Sequence, residues 1–479
     1  MANNAPGVYI QDITSGSQNI RQASASVGVM IGVTKSGVLN TPVKITSWTE
    51  FISNFANGLD SPFLENSYLP HAVYGFFNNG GSELYVGSIK GSGAAKATKT
   101  SSTNAITATA KTEGTWGNSL KITITKGDGW VASTNPIFDV LVELGSSDSV
   151  SFTNVTADNF VSDLMTSPKV KSWFSALSIS SSTTELAEEV ITLTGGSDGS
   201  SLTDSDYVSA LSMIDFIDDA LMVAIPGQTS TTVNKAVIDY CTEKGLFPII
   251  DAPVGYTVDQ VNTYRRSLDA WTGVLAYPWG KVNDSLSGTL KSVPSAGHLM
   301  GVYARIFDIY GIHRAPAGTE AVINGFVDVV TTLSSDNIGV LNAVGIVCLC
   351  VKPNLGVVVW GARSLNSSDA TMRYVTDGVL NLTIKKSIHD GTQFAIFEAN
   401  NEFLWSRLES ACKAFLEDLR LSGALKGSQE EAYYVTVDDS NNTDETINNG
   451  QLFIEIGYAP VKPAEFIIIK LAHSISGIA

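Results

Sequence analysis

Asp251, at the end of an apolar run, and His313 could be arranged with one of the chain's many serines as a hydrolase triad, in which serine attacks, imidazole takes the proton and carboxylate orients the ring. No GxSxG elbow accompanies them, and a chain of this length supplies such a trio by chance. Gly227-Gln228-Thr229-Ser230 is the nearest approach to a phosphate-cradling loop, but neither GxxxxGK[ST] nor a post-strand GxGxxG occurs. A glycine in a strand-to-helix turn is commonplace. His71, His298, His313, His389 and His473 show no HExxH or paired spacing for a metal. Cys241, Cys348, Cys350 and Cys412 fit neither a zinc knuckle nor a CxxC pair, so they are expected as buried structural thiols. No catalytic, cofactor-binding or metal-binding residue is expected.

The elements that would carry these residues alternate. Val27 to Val33 reads as a strand, Ser47-Trp48-Thr49-Glu50 has capping-box spacing, and a helix is expected over Glu65 to Phe77, interrupted or entered at Pro70. Glu83 to Ile89 is the next strand. From Gly91 to Thr112 the residues turn small and hydroxylated, marking a boundary, and 113–196 is β-rich, with alternating Leu120, Ile122 and Ile124 and runs at Phe138 to Leu144 and Val190 to Leu193. Strand and helix then alternate again: Ala220 to Ile225, Thr231 to Lys244 stopped by Gly245, Leu246 to Ile250, a helix capped by Thr257 and Gln260, and Gly273 to Tyr277. That spacing favours parallel pairing. Gly345 to Val351 and Gly356 to Trp360 suggest a hairpin or two neighbouring strands. Glu402 to Leu421 is the best helix, with Leu404, Leu408, Ala411, Phe415 and Leu419 on one face and Lys413 and Arg420 on the other.

At 479 residues and 44% hydrophobic content the chain has enough apolar material for several domains. A net charge of −17 without a Lys/Arg cluster argues against nucleic-acid or anionic-membrane binding. The opening MANNAPGVYI has no signal-peptide pattern and no apolar run approaches a membrane span, so folding in a cytoplasm is expected.

Trp360-Gly361-Ala362-Arg363, Phe397-Glu398-Ala399-Asn400-Asn401, Leu404-Trp405, Gly423-Ala424-Leu425-Lys426-Gly427 and Ala459-Pro460-Val461-Lys462-Pro463-Ala464-Glu465-Phe466 follow one another in the order seen in contractile tail sheath proteins. Pro6-Gly7-Val8-Tyr9, Phe76-Phe77-Asn78-Asn79-Gly80-Gly81 with Leu84-Tyr85-Val86, and Thr115-Trp116-Gly117-Asn118 extend the resemblance over nearly the whole chain, most weakly over 130–215. At Val375 to Val379, where the family commonly carries an arginine pair, this chain has Asp377-Gly378.

The resemblance implies a structural protein of phage tails, R-type bacteriocins or related injection machines. It would polymerise as stacked hexameric rings around a tail tube and contract to drive that tube through a cell envelope. Its partners would be further copies of itself, the tube protein, and baseplate and tail-terminator proteins, with no nucleic acid and no membrane insertion. Assembly would occur in the bacterial host cytoplasm, ending in a virion tail or tail-like particle. The fold expected is multi-domain α/β: an N-terminal arm (1–26), an α/β sandwich core in two parts (27–90 and 201–355), a β-rich outward insertion (91–200), and an α+β C-terminal domain (356–479) facing the tube and ending in an arm. The family's core has been likened to subtilisin, but fold does not carry function. Strand exchange between subunits is expected of Val8, Tyr9 and Ile10 at one end and Phe466, Ile467, Ile468 and Ile469 at the other, because unpaired β-prone runs are templates for another chain. Lys413 and Arg420 are the tube-facing candidates. Competing readings are a hydrolase with a subtilisin-like core, and a generic binding module or capsid-type shell protein.

Overall fold

The computed structural model describes residues 19–56, 61–132, 134–146, 148–180, 183, 185–284 and 287–468. They divide into two compact units, one formed by 24–382 with the residues from 462 on, the other by 383–461 with the residues before 24.

Continuous apolar runs build the larger unit's central sheet. Its eight strands lie in the order Val43–Ile45, Leu84–Ser88, Gly28–Gly32, Met222–Ala224, Phe247–Asp251, Val274–Tyr277, Ile346–Lys352, Gly356–Val359. The six inner strands are parallel and the two edge strands antiparallel to their neighbours. Inner strands such as Phe247–Asp251 and Val274–Tyr277 are buried at every position, as expected of a parallel sheet covered on both faces. Lys44 on one edge strand forms ion pairs with Glu83 (2.9 Å) and Asp219 (2.8 Å), and a charge there discourages pairing with a foreign strand.

Local signals set the connecting helices. Thr231–Lys244 stops at Gly245, whose φ of 71° is the left-handed end that glycine adopts without strain. Val258–Arg266 starts from a reciprocal capping box between Thr257 and Gln260. Ser47 accepts from the Glu50 amide, while the Glu50 carboxylate reaches one residue further back, to the Thr46 amide. The helix expected from Glu65 begins at Leu69 instead. Proline has no amide to donate and suits a first turn, so Pro70 opens this helix rather than interrupting it.

Residues 91–200 form antiparallel sheets of three strands (Phe174–Ile179, Ile106–Ala110, Thr98–Thr100) and four strands (Glu189–Thr192, Leu120–Lys126, Phe138–Leu144, Asp148–Val155). Two short helices, Phe160–Leu164 and Pro168–Trp173, were not legible as elements. The segment has a hydrophobic core of its own, including Ile122, Phe138, Val140, Phe160 and Trp173. At its neck the fully buried Lys90 ammonium donates to the carbonyls of Lys35 (3.2 Å) and Glu113 (3.0 Å) and pairs with Asp198. The chain crosses itself there so closely that a Cβ on Gly91 would lie 1.8 Å from the Ser200 carbonyl oxygen.

The boundary expected at 355/356 falls inside a hairpin: Ile346–Lys352 and Gly356–Val359 pair directly, and the second strand completes the eight-stranded sheet. The compact smaller unit starts at Thr383. It contains the helix Glu402–Leu421, capped by the Asn401 side chain on the amides of Phe403 and Leu404, and a two-stranded ribbon of Tyr433–Thr436 with Glu455–Tyr458. Among the described residues no helix is long and apolar enough to cross a membrane.

Candidate functional site

Asp251 is engaged in holding the fold. Its carboxylate accepts from the amides of Gly227 (3.1 Å), Ser295 (2.8 Å) and Ala296 (2.9 Å), tying a strand end to a turn and to the start of the Ala296–Tyr310 helix. Burial outweighs those three donors and pushes its carboxyl up to about 6. The amides of Thr229 and Ser230, which a phosphate would need, are taken by Gln228 Oε1 at 2.9 and 3.0 Å. Among the described residues no group of three His, Cys, Asp or Glu could hold a metal ion. The four cysteines are free and buried, and burial pushes the Cys348 and Cys412 thiols up to about 12 and about 11, leaving little thiolate.

A polar constellation lies where the chain re-enters the larger unit. Arg363 Nε lies 3.0 and 3.1 Å from the two Glu465 carboxylate oxygens, and one terminal nitrogen lies 2.6 Å from Oε2. Asn342 Nδ2 donates to Oε1, and Tyr374 OH to Oε2 at 3.4 Å. Arg363 and Tyr374 face each other in an antiparallel bridge that closes the intervening loop, and Asn342 lies near the end of the Ser335–Ala343 helix. Burial raises the Glu465 carboxyl's pKa, but Arg363 and Asn342 more than offset this and hold it below its ordinary value. Three residues earlier, Lys462 Nζ pairs with the buried Asp377 at 2.7 Å and donates to the carbonyls of Ala370 and Thr371. The lysine partner of Asp377 is in the motif around Pro460. At neighbouring Gly378 a Cβ would meet Thr272 Oγ1 at 2.0 Å.

Directly beyond Glu465 come three exposed residues in a row. Phe466, Ile467 and Ile468 are 73%, 84% and 81% exposed and belong to no strand among the described residues. Val8, Tyr9, Ile10 and Ile469 lie outside the described residues. Sequence reading missed Arg363, Asn342, Tyr374 and Glu465 as a group, although Arg363 and Glu465 each stand in a motif singled out for resemblance.

In the smaller unit the Glu402–Leu421 helix buries Leu404, Trp405, Leu408, Cys412, Phe415, Leu416 and Leu419. Its two candidate cations are paired along the helix: Lys413 with Glu409 at 2.7 Å, and Arg420 with Glu417 at 2.6 Å. Glu417 also accepts from Tyr433 OH. Asn400 and Asn401 have internal roles, the first accepting from Trp405 Nε1 at 2.7 Å and the second capping the helix. Phe397 in the same motif is fully exposed at φ 67°, a left-handed conformation that a bulky residue rarely holds.

These features define a mixed α/β, multi-sheet protein with a central mixed sheet. Similar folds occur in the PVC sheath complex of an extracellular contractile injection system, in its contracted state (TM-score 0.64, 20% identity, 99% of each chain), and in the contracted helical sheath of the anti-feeding prophage (TM-score 0.62, 21% identity, 99% of this chain and 100% of that one). Residues 201–365 match the phage tail sheath protein central domain, and 367–472 match the phage tail sheath C-terminal domain. The tail sheath protein of Salmonella phage ViI is 24% identical over 300 residues, 60% of this chain, and this chain spans about half (46%) of that relative's length. The chain belongs to the phage tail sheath protein family, which is structural and not enzymatic.

Proposed function

We propose that this chain polymerises as stacked hexameric rings around a tail tube, and that the resulting sheath contracts to drive the tube through a cell envelope. The observation that carries this reading is the C-terminal arm: a β-prone apolar run, exposed and in no strand among the described residues, starts one residue beyond a carboxylate held by Arg363. Such a run is completed by another chain, and Phe466 to Ile469 would supply one exchanged strand with Val8 to Ile10 as its counterpart. Among the described residues the ribbon of Tyr433–Thr436 and Glu455–Tyr458 has two strands, so its outer edges could take further strands. Main-chain pairing at flexible joints lets subunits rotate without dissociating.

In this reading the smaller unit's residues 383–461 face the tube and 91–200 point away from it, around a core resembling subtilisin's in fold alone. The Glu402–Leu421 helix would meet acidic groups of the tube through Lys413 and Arg420. Baseplate and tail-terminator proteins would close the ends, and assembly would take place in the host cytoplasm. Contraction needs no nucleotide if the contracted lattice buries more apolar area, since a few kcal/mol per subunit at ~25 cal/mol per Å² accumulates over a whole sheath. Negative-stain electron microscopy of the purified chain tests the reading: it should give hollow striated cylinders, and monodisperse particles or closed shells would refute it.

A further inference from the structure

We infer that Arg363 is the positioning residue of the C-terminal arm: with Asn342 and Tyr374 it grips Glu465 and fixes where the run beginning at Phe466 leaves its own subunit. This rests on the proposed strand exchange and adds to it a fixed origin and register for the exchanged strand.

The grip is directional. Arginine's planar fork engages both carboxylate oxygens, so it sets the orientation of Glu465 as well as its charge state, which a lysine would not do. The donors are themselves held, Arg363 and Tyr374 by their backbone bridge, with Ser364 N to Arg373 O at 2.7 Å and Val375 N to Ala362 O at 2.9 Å beside it. Lys462 and Glu465 carry opposite charges three residues apart, and each meets a partner of opposite sign: Asp377 for the lysine, Arg363 for the glutamate. Pro463 stiffens the step between them. Slippage of the arm by a residue breaks both pairs together, so the two tethers select one register.

The anchored side chain is adjacent to Phe466, the first large exposed apolar one of the run. Three extended residues span about 10 Å, so the accepting edge on another copy must approach within about that distance of the Arg363 cradle. A pull on the arm is therefore delivered to Glu465, and through it to the Arg363–Tyr374 bridge beside the central sheet.

The experiment attaches a spin label to Ala464→Cys, an exposed position between the two tethers, in the full-length chain, whose four native cysteines are buried. In the unassembled protein the label should be restrained. It should become freely mobile in Arg363→Glu and in Glu465→Arg, and be restrained again in the double charge swap. Unlabelled single variants should form cylinders at a yield lower by about tenfold or more, consistent with loss of charge-assisted hydrogen bonds, and the swap should recover them. Restraint persisting in Arg363→Glu, normal cylinders despite a freed label, or a folded swap that restores neither readout would each overturn the inference. If Arg363→Glu fails to fold by circular dichroism, Glu465→Gln decides with the same readouts. Failure of the unmodified chain to form cylinders would instead sink the sheath reading and the bridging role with it, while the label would still report whether Arg363 anchors the arm.

Discussion

The β-rich segment 91–200 and the C-terminal arm are both made of β-prone sequence, and they end in opposite states. In the segment, strands such as Phe138–Leu144 alternate buried and half-buried residues, find antiparallel partners on both sides and close over a private core. Its neck is clasped by a lysine that spends its ammonium on two carbonyls and a carboxylate. The arm's Phe466-Ile467-Ile468 has no such alternation and no partner strand among the described residues, yet its root is held by two ion pairs. β-propensity is thus common to both. What separates them is whether the described residues supply the pairing edge and the apolar cover, and a run that finds neither among them while being held in place is suited to pairing with another copy.

The largest effect expected from breaking this contrast is on assembly. Removing everything after Lys462 should leave circular dichroism close to that of the full chain and cost in stability about the 1–2 kcal/mol that goes with the Glu465 carboxylate, while cylinders disappear from electron micrographs. Normal cylinders would show that the arm is not the connecting strand. Phe138→Ala attacks the closed region instead. It empties a fully buried aromatic site beside Trp130 and should cost about 3–5 kcal/mol within 91–200, read as faster hydrogen exchange across its four-stranded sheet. Cylinders should still form, because on the proposed reading this segment points away from the tube. Their loss would tie the segment to assembly.

Apolar periodicity made the regular elements legible. The helices Thr231–Lys244 and Glu402–Leu421 and the strand Phe138–Leu144 stand where the residue pattern put them, because glycine stops, caps and alternation act locally. The short helices Phe160–Leu164 and Pro168–Trp173 were not legible: at five and six residues they have too little periodicity of their own and depend on the buried Phe160 and Trp173. The anchor was out of reach for another reason. Arg363 and Glu465 lie 102 positions apart, and nothing local to either says that they meet. The pairing of Lys413 and Arg420 could have been read, since Glu409 and Glu417 stand four and three residues before them, one helical turn away.

A smaller effect separates the arm's two tethers. The Glu465 carboxyl is held below its ordinary value, so its contribution to stability is present above about pH 4.5 and is lost as pH falls through the lowered value. The Asp377 carboxyl is raised by burial, which outweighs Lys462, so its contribution is present below its ordinary 3.8 and is lost as pH rises through the raised value. At pH 7 Glu465→Gln should therefore cost about 1–2 kcal/mol, as loss of charge-assisted hydrogen bonds does, whereas Asp377→Asn should be close to neutral or stabilising. Denaturant melts at pH 7 and at pH 4 check both signs. An Asp377→Asn loss equal to that of Glu465→Gln would show that the two pairs hold the arm equally.

The smallest effect belongs to the Glu402–Leu421 helix, and it tests whether a surface can serve assembly without being left unsatisfied. Lys413 and Arg420 each meet a carboxylate on their own helix, so unlike the arm they present little uncompensated charge. Exposed pairs of this kind contribute little to folding and weaken in salt. Lys413→Glu with Arg420→Glu should accordingly leave the melting midpoint nearly unchanged and should not stop polymerisation. If this face meets acidic groups on the tube, reversal does more than remove an attraction, because it adds two carboxylates beside Glu409 and Glu417 and sets them against the same groups. Extended, tube-filled particles should then fall as a share of all particles, with contracted or empty sheath taking their place, and added salt should narrow the gap to the unmodified chain by screening the repulsion. Counting particles of each kind at low and high salt decides it. An unchanged share of extended, tube-filled particles at both salt concentrations would remove this face from the tube contact and leave the arm as the assembly element.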